Sequence, residues 1–206
     1  MVPTTTRIHL FRHGAVAAPF AGRIYGDLDV PLSEAGEAES WAAAATLDGQ
    51  PLQAIVHSGL ARARHLAARI AQNHPETPVV LDPALREIHR GPWAGVDLEE
   101  IRAKHPAALD AWHVSRGLFA PPGGETVQQI STRVCAAIQR HASDHAGGTI
   151  AIAAHLWVLR SAACACEDGL PLHRCAELEI PTGTALTIDW PAGGDSGHRP
   201  RRVANV

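Results

Sequence analysis

The sequence has no excess of basic residues and no long apolar run, and each absence excludes a class of protein. Its 18 Lys and Arg residues are outnumbered by 21 Asp and Glu residues, which excludes a generally basic nucleic-acid binder. No stretch approaches the ~18 consecutive apolar residues needed to span a bilayer. With 46% apolar and 19% charged residues, the composition is typical of a folded globular chain. No stretch resembles an interdomain linker, and we expect a single domain over residues 1–206.

Cysteine is scarce, and the sequence also lacks a recognisable targeting segment. Residues 1–7 show no basic region followed by an apolar one, so the cytoplasm is the expected compartment. A metal cluster around His173 is disfavoured because the nearby cysteines lack the paired C-x₂-C spacing of structural zinc sites. We therefore expect buried free thiols. The cysteines are Cys135, Cys164, Cys166 and Cys175.

Strand and helix patterns alternate along the chain. Short apolar runs predict strands at residues 8–11, 54–57, 79–81 and 149–154. Helical patterns cover residues 34–47, with Ser33 as N-cap, residues 58–74, with Ser58 as N-cap, residues 125–145, and a segment that begins at His155. The intervening stretch from Pro83 to Gly124 is rich in loop-forming residues, and residues 184–190 and 199–203 predict a closing β-hairpin. This alternation predicts an α/β fold with a largely parallel sheet and helices on both faces.

Polar side chains follow the predicted strands where ligands bind in such sheets, beyond the carboxyl ends. Arg12 and His13 follow the first strand, and Arg62 comes soon after the second. Glu87 follows the third strand, and His155 follows the late one. We therefore expect two histidines, two arginines and one carboxyl group to lie at one edge of the sheet.

Such a set of residues can transfer a phosphoryl group through a phosphohistidine. A neutral His13 imidazole is a competent nucleophile, and Arg12 and Arg62 match the phosphoryl oxygens. His155 can donate a hydrogen bond to an equatorial oxygen. Glu87 is the candidate acid that protonates the departing alkoxide and then activates water. That role needs a raised pKa, which neighbouring arginines oppose, and the sequence leaves this balance open.

The ordered motifs around these residues resemble the histidine phosphatases of the phosphoglycerate mutase-like superfamily. The matching runs are residues 10–14, 22–26, 29–33, 58–63, 85–88, 122–126 and 154–155. The resemblance implies a three-layer α/β/α sandwich around a mixed six-stranded sheet. It also implies that His13 is phosphorylated, that Arg12, Arg62 and His155 form the phosphate pocket, and that Glu87 is the proton donor.

Three further residues are candidates for substrate binding. Arg23 and Tyr25 lie in a loop flanked by glycines, where they either contact the substrate or serve a structural purpose. Ser58 is expected to cap its helix and contact phosphate at the same time, since backbone N–H groups at a helix N-terminus favour anions.

One departure from the family pattern bears on the pocket. Leu156 and Trp157 replace the two glycines usual after the second histidine. If that turn requires glycine, the exit from the late strand must be rebuilt. Trp157 then either narrows the pocket, supplies a flat surface for a ring-bearing substrate, or simply packs in the core.

The substrate remains the least determined feature. Residues 15–20 lack the Ser, Trp and Asn residues that mutases of the family carry there, so a mutase is disfavoured. Residues 22–32 and 119–125 resemble the α-ribazole phosphatase branch, which removes a 5′-phosphate from a nucleotide-like alcohol. The alternatives left open are a broad small-phosphoester phosphatase, a mutase-type phosphoryl transfer, and a non-catalytic relative that binds a phosphorylated ligand.

The expected partner is therefore a small phosphorylated metabolite. The 13 histidines suggest a metal-dependent hydrolase, but no pair has an H-E-x-x-H or comparable ligand spacing. Nothing in the sequence requires a metal, a nucleotide cofactor, a membrane or a nucleic acid. The oligomeric state stays open, with a homodimer among the options.

Overall fold

A mixed sheet forms the centre of the protein, whose computed structural model describes residues 4–115, 119–167, 172–193 and 199–205. The strands are β1 (Thr5–Arg12), β2 (Arg23–Ile24), β3 (Ala54–His57), β4 (Val79–Leu81), β5 (Val96–Asp97), β6 (Thr149–Ala154), β7 (Ala185–Pro191) and β8 (Arg201–Asn205). The α-helices are α1 (Glu34–Ala45), α2 (Ala61–Asn73), α3 (Leu98–Lys104), α4 (Pro106–Val114), α5 (Val127–Asp144) and α6 (Leu156–Cys166). Short 3₁₀-helices span Ala18–Phe20, Pro83–Leu85, Gly91–Trp93 and Leu172–Glu177.

The central sheet has the order β4-β3-β6-β1-β7-β8. The strands β4, β3, β6 and β1 run parallel, whereas β7 and β8 are antiparallel additions at one side. Arg12 pairs with Ala154, and His57 pairs with Ala153. The carboxyl ends of β1, β3 and β6 therefore meet at one edge, as predicted.

Apolar side chains alternate between the two faces of the sheet, and each face packs against a different pair of helices. Leu10 belongs to a core cluster that contains residues of α5 and α6. Phe11, the next residue, packs with residues of α1 and α2 on the other face. This arrangement confirms the predicted three-layer α/β/α sandwich. A third, smaller cluster around Trp93 joins α3 and α4 to the small antiparallel sheet of β2 and β5.

Side-chain caps account for the starts of the two best-predicted helices. The Ser33 hydroxyl accepts a hydrogen bond from the N–H of Gly36 at the start of α1. Thr126 and Gln129 form a reciprocal capping box at the start of α5. Both helices lie within a few residues of the predicted bounds. The closing hairpin is also present as β7 and β8, and its turn at 194–198 lies outside the described residues.

Two predictions about local structure are wrong. Ser58 does not cap α2, because the chain turns at Gly59, which has a φ of +90°, and the helix begins only at Ala61 with Leu60 as its N-cap. The Ser58 hydroxyl instead accepts a hydrogen bond from the N–H of Leu60 and contacts His155. The stretch predicted as loop contains α3 and α4, whose apolar pattern is too short to be conspicuous, although Asp97 caps α3 and Pro106 begins α4.

The prediction of free thiols is wrong for two of the four cysteines. Cys164 and Cys175 form a disulfide, with their Cα atoms 5.9 Å apart. The 3₁₀-helix Leu172–Glu177 brings Cys175 against the end of α6, a contact that spacing along the chain does not reveal. Cys135 and Cys166 are free and partly buried. Across the ranges that the structure describes, no helix is both long and apolar enough to cross a membrane.

Candidate active site

The predicted site residues lie together at the carboxyl edge of the sheet. His13 follows β1, Ser58 follows β3, and His155 follows β6, while Arg62 lies in the first turn of α2. All four are buried. Glu87, also buried, comes from the loop after the 3₁₀-helix Pro83–Leu85. Of the two histidines, two arginines and one carboxyl group expected at this edge, these residues supply all but one arginine, and the other, Arg12, is the last residue of β1 and lines the adjoining cleft.

His13 is held in one tautomer by its backbone. Its Nδ1 lies 2.6 Å from the carbonyl oxygen of Gly14 and donates a proton to it. The Nε2 atom consequently carries the lone pair, and it accepts a hydrogen bond of 3.1 Å from the Nε of Arg62. Burial, with the charges of Arg62 and Arg12, lowers the pKa of His13 to about 3. The imidazole is therefore neutral at physiological pH and presents Nε2 as a nucleophile.

A close backbone approach fixes the loop that carries His13. A Cβ atom built on Gly14 would lie 1.9 Å from the carbonyl oxygen of Gly36, in the first turn of α1. The reverse also holds, since a Cβ on Gly36 would lie 1.9 Å from the carbonyl oxygen of Ala15. Only glycine at both positions allows the loop and the helix to pack this tightly.

The guanidinium of Arg62 is held by the loop before α1. It donates to the carbonyl oxygens of Leu28 at 2.6 Å and Gly26 at 2.8 Å. Its Cζ lies 5.1 Å from the centre of the Tyr25 ring. Because the Nε–H points at Nε2 of His13, the group is positioned to hold an oxygen of a phosphoryl group bound to that nitrogen.

His155 and Ser58 form a second buried pair beside His13. The Oγ of Ser58 lies 2.7 Å from Nε2 of His155. Since this hydroxyl accepts from the N–H of Leu60, its own proton is available for His155. That arrangement leaves a proton on Nδ1 of His155, a buried atom without a hydrogen-bond partner among the described residues. The two imidazole rings have centroids 5.2 Å apart, so Nδ1 can serve a ligand held at His13.

Burial decides the protonation balance of Glu87 that the sequence left open. Its Oε1 accepts hydrogen bonds from the N–H groups of Ile88 at 2.8 Å and Trp157 at 3.3 Å. Removal from water nevertheless raises the pKa of this carboxyl group and outweighs the opposing influence of Arg62 and Arg90. Glu87 is thus suited to hold a proton that it can donate.

The replacement of two glycines by Leu156 and Trp157 does not disturb this edge. Both residues are helical, within the first turn of α6, so the turn needs no glycine. Trp157 is 6% exposed, and the guanidinium groups of Arg90 and Arg160 lie over its ring, with Cζ atoms 5.4 and 5.0 Å from the centroid. This favours core packing over a free surface for stacking.

A cleft of about 190 Å³ adjoins the buried cluster. Arg12, Arg23, Tyr25 and Glu87 line it. Arg12 donates to the carbonyl oxygen of Ile180, and its Nε is buried without a partner among the described residues. Arg23 is exposed and donates to the carbonyl oxygen of Gly95 at 3.0 Å.

Arg90 and Trp112 also line the cleft, and neither is among the predicted site residues. Arg90 directly precedes the 3₁₀-helix Gly91–Trp93, and Trp112 lies on α4. Because Arg90 comes only three residues after Glu87, the sequence did indicate that it lies near the predicted acid. For Trp112 there was no such indication, since α4 was not predicted. Among the residues described, no three His, Cys, Asp or Glu side chains form a group that could hold a metal ion.

The low pKa of His13 predicts how stability depends on pH. The unfolded chain protonates this imidazole below about pH 6.5, whereas the folded chain resists protonation until about pH 3. Stability is therefore full above pH 6.5 and falls as the pH drops through this window, by roughly 3 to 5 kcal/mol for a shift of this size.

Urea unfolding at several pH values between 7 and 4 measures this dependence. The His13→Gln variant has no imidazole to titrate at this position, so its free energy of unfolding should fall less steeply than that of the wild type. Equal slopes for the two proteins would contradict the prediction. Comparing slopes cancels the titration of all other groups.

The sequence matches the family model of the histidine phosphatase superfamily (branch 1) over residues 8–199. A metal-independent phosphoserine phosphatase from Arabidopsis thaliana is 34% identical over 158 residues, which make up 76% of this chain and 66% of that relative. A glucosyl-3-phosphoglycerate phosphatase from Mycolicibacterium vanbaalenii is 35% identical over 127 residues, 62% of this chain and 56% of that relative. The chain thus spans 56 to 66% of the length of these curated relatives.

A solved structure agrees over a larger part of the chain. That of YhfR from Bacillus stearothermophilus has a TM-score of 0.83 and 30% sequence identity, and the alignment covers 94% of both chains. Fold, site geometry and the family match over nearly the whole chain lead to one conclusion: this chain belongs to the histidine phosphatase superfamily, branch 1.

Proposed function

We propose that this chain is a metal-independent phosphomonoesterase that forms a phosphohistidine on His13. The observation that carries the proposal is the environment of its Nε2, a lone pair that faces the guanidinium of Arg62 in a buried, neutral imidazole. Family membership supports the same activity.

In the first step, Nε2 of His13 attacks the phosphorus atom of a phosphate monoester. The Nε2–P bond forms as the bond from phosphorus to the ester oxygen breaks. Glu87 gives its proton to the departing oxygen, so that an alcohol leaves and the carboxylate remains. The Nε–H of Arg62, which donates to Nε2 of His13 in the free site, then donates to a phosphoryl oxygen instead, and Arg12 and Nδ1–H of His155 hold the others.

In the second step, water cleaves the phosphoenzyme. The Glu87 carboxylate accepts a proton from a water molecule whose oxygen attacks phosphorus. The P–Nε2 bond breaks, inorganic phosphate leaves, and the imidazole of His13 is neutral again. Glu87 is protonated once more, so the cycle closes without a metal ion or a cofactor.

Within this activity, α-ribazole 5′-phosphate is one candidate substrate. Its support is the resemblance of residues 22–32 and 119–125 to that branch of the family. A cleft lined by Tyr25, Trp112 and Trp157 could border an aromatic base, although the guanidinium groups over Trp157 leave that ring little free face. Phosphoserine and 3-phosphoglycerate derivatives enter the comparison because the two relatives act on esters of that kind.

Phosphate release in the presence of a chelator tests the proposal. The panel is p-nitrophenyl phosphate, α-ribazole 5′-phosphate, O-phosphoserine and 3-phosphoglycerate. We expect turnover that the chelator does not reduce. No release from any of the four by a folded protein that still binds phosphate would favour the non-catalytic binder. Isomerisation of 3-phosphoglycerate without phosphate release would favour a mutase.

A further inference from the structure

Arg90 is a largely buried residue that lines the cleft, and no described residue accepts a hydrogen bond from its side chain. It is 6% exposed, and its Cζ lies 5.2 Å from the ring centroid of Trp112 and 5.4 Å from that of Trp157. Within the described part of the chain, its guanidinium donates no hydrogen bond and makes no ion pair. Every other arginine of the site, by contrast, donates to at least one carbonyl oxygen, as Arg12, Arg23 and Arg62 do.

This arrangement leaves the N–H groups of Arg90 available to a ligand. No nitrogen of Arg90 is both fully buried and without a partner among the described residues, so these groups remain open to the solvent of the cleft. The two cation–π contacts hold the guanidinium in place, since the ring faces attract positive charge. They leave the N–H donors at the edge of the group, which can bind an acceptor on a ligand.

The loop that carries Arg90 is held rigidly on both sides. The carbonyl oxygen of His89 accepts a hydrogen bond from the backbone N–H of Glu125 at 2.8 Å. The backbone N–H of His89 donates to the side-chain carboxylate of Glu125 at 2.9 Å. Gly91 has a φ of +55°, and a Cβ there would lie 2.4 Å from the carbonyl oxygen of Pro122. Arg90 is therefore preorganised rather than free to move into solvent.

Arg90 belongs to the same site as the proposed phosphate clamp. A Cβ on Gly26 would lie 2.7 Å from Cγ of Arg90, while the carbonyl oxygen of Gly26 accepts from Arg62. Residue 26 thus separates the two guanidinium groups. Arg12 and Glu87 of the proposed site line the same cleft as Arg90, so a ligand that extends from His13 into this cleft meets Arg90.

A simple phosphate ester offers no negative charge that could pair with Arg90. The phosphoryl group of a monoester carries at most two negative charges, which Arg12 and Arg62 balance. Glu87 directs its Oε1 to the N–H groups of Ile88 and Trp157, and Glu125 pairs with Arg133, so neither carboxyl group forms an ion pair with Arg90 among the described residues. The cleft thus retains an unmatched positive charge at Arg90.

We propose that Arg90 binds a carboxylate of the substrate, so that the preferred substrates are small phosphorylated carboxylic acids. The inference rests on the proposed phosphatase function and names its substrate class. A carboxylate offers two coplanar oxygens that match the edge of a guanidinium, and it is small enough for a cleft of about 190 Å³ that also admits the reacting ester. The structure assigns Arg90 to specificity, and the chemistry stays with His13 and Glu87.

A pair of substrates that differ only in the carboxylate tests the proposal. 3-Phosphoglycerate and glycerol 3-phosphate share the phosphate ester and the neighbouring hydroxyl group. We expect the wild type to prefer 3-phosphoglycerate, and Arg90→Met to lower the ratio of the two kcat/KM values roughly tenfold or more. Arg160→Met is the matched control, because it removes a guanidinium from the same Trp157 ring but from outside the cleft lining, and it should preserve the ratio.

Other outcomes overturn the proposal. A wild type without preference would do so, and so would an Arg90→Met variant in which both kcat/KM values fall by the same factor, since that marks a purely structural residue. If no ester is turned over, the phosphatase function fails separately. Calorimetric binding of the same pair to the wild type and to Arg90→Met then decides the question. Tighter binding of 3-phosphoglycerate that depends on Arg90 supports the proposal, and equal affinities refute it.

Discussion

Replacing His13 by Ala is expected to abolish phosphate release, with kcat lower by about 10⁴-fold or more, as for the loss of other covalent nucleophiles. The expectation follows from the geometry of Nε2, which faces Arg62 and has no neighbouring nitrogen that could take over the attack. His155 cannot substitute, because its Nε2 is engaged by Ser58. Steady-state phosphate release from p-nitrophenyl phosphate measures the effect.

The matched control for that variant is His57→Asn. His57 ends β3 at the same edge of the sheet, but its Nδ1 only accepts a hydrogen bond from the N–H of Gly59. An Asn side chain can retain that contact, so turnover should persist. Acid-labile, alkali-stable ³²P label should appear on wild-type protein quenched during turnover and be absent from His13→Ala. Label of equal intensity on both proteins would place the nucleophile elsewhere.

Much of the fold could be predicted because its elements carry local signals. The strands β3 and β6 are short, continuous apolar runs, and Ser33 marks the start of α1 by itself. The site residues at the strand ends followed from one general property of parallel sheets, that their carboxyl ends share an edge. Arg12, His13 and His155 were found in this way.

The features that could not be predicted depend on contacts between distant segments. Ser58 is a residue type that commonly caps helices, yet α2 begins three residues later, and the Ser58 hydroxyl contacts His155, 97 residues away. The disulfide joins α6 to a 3₁₀-helix whose position is set by tertiary packing. Arg90 became conspicuous only once Trp112 and Trp157 were placed beside it.

Replacing Glu87 by Gln is expected to lower kcat/KM for an alkyl phosphate such as glycerol 3-phosphate by about 10²- to 10⁴-fold. A Gln side chain can still accept from the N–H groups of Ile88 and Trp157, but it has no acidic proton for the departing alkoxide. The loss should be far smaller for p-nitrophenyl phosphate, whose leaving group is stable as an anion. Initial rates at substrate concentrations well below KM give kcat/KM for the two esters, which reports the phosphorylation step alone.

The control is Glu125→Gln, which changes a carboxylate that holds the same loop through the N–H of His89 without lining the cleft. Loosening the loop should slow both esters by a common factor, whereas loss of the proton donor should separate them. Equal losses of kcat/KM for both esters in Glu87→Gln would therefore refute its assignment as the acid.

The second role of Glu87 gives a separate kinetic signature. Without a carboxylate to activate water, hydrolysis of the phosphohistidine should become slower than its formation from p-nitrophenyl phosphate. Stopped-flow measurement of Glu87→Gln should then show a burst of nitrophenol close to one equivalent per site, followed by a slow steady state. A variant that is slow on alkyl esters but shows no burst would require another base for the second step. Burial raises the pKa of Glu87, and the carboxyl group also lines the cleft. The same side chain can therefore donate the proton in one step and recover it in the next.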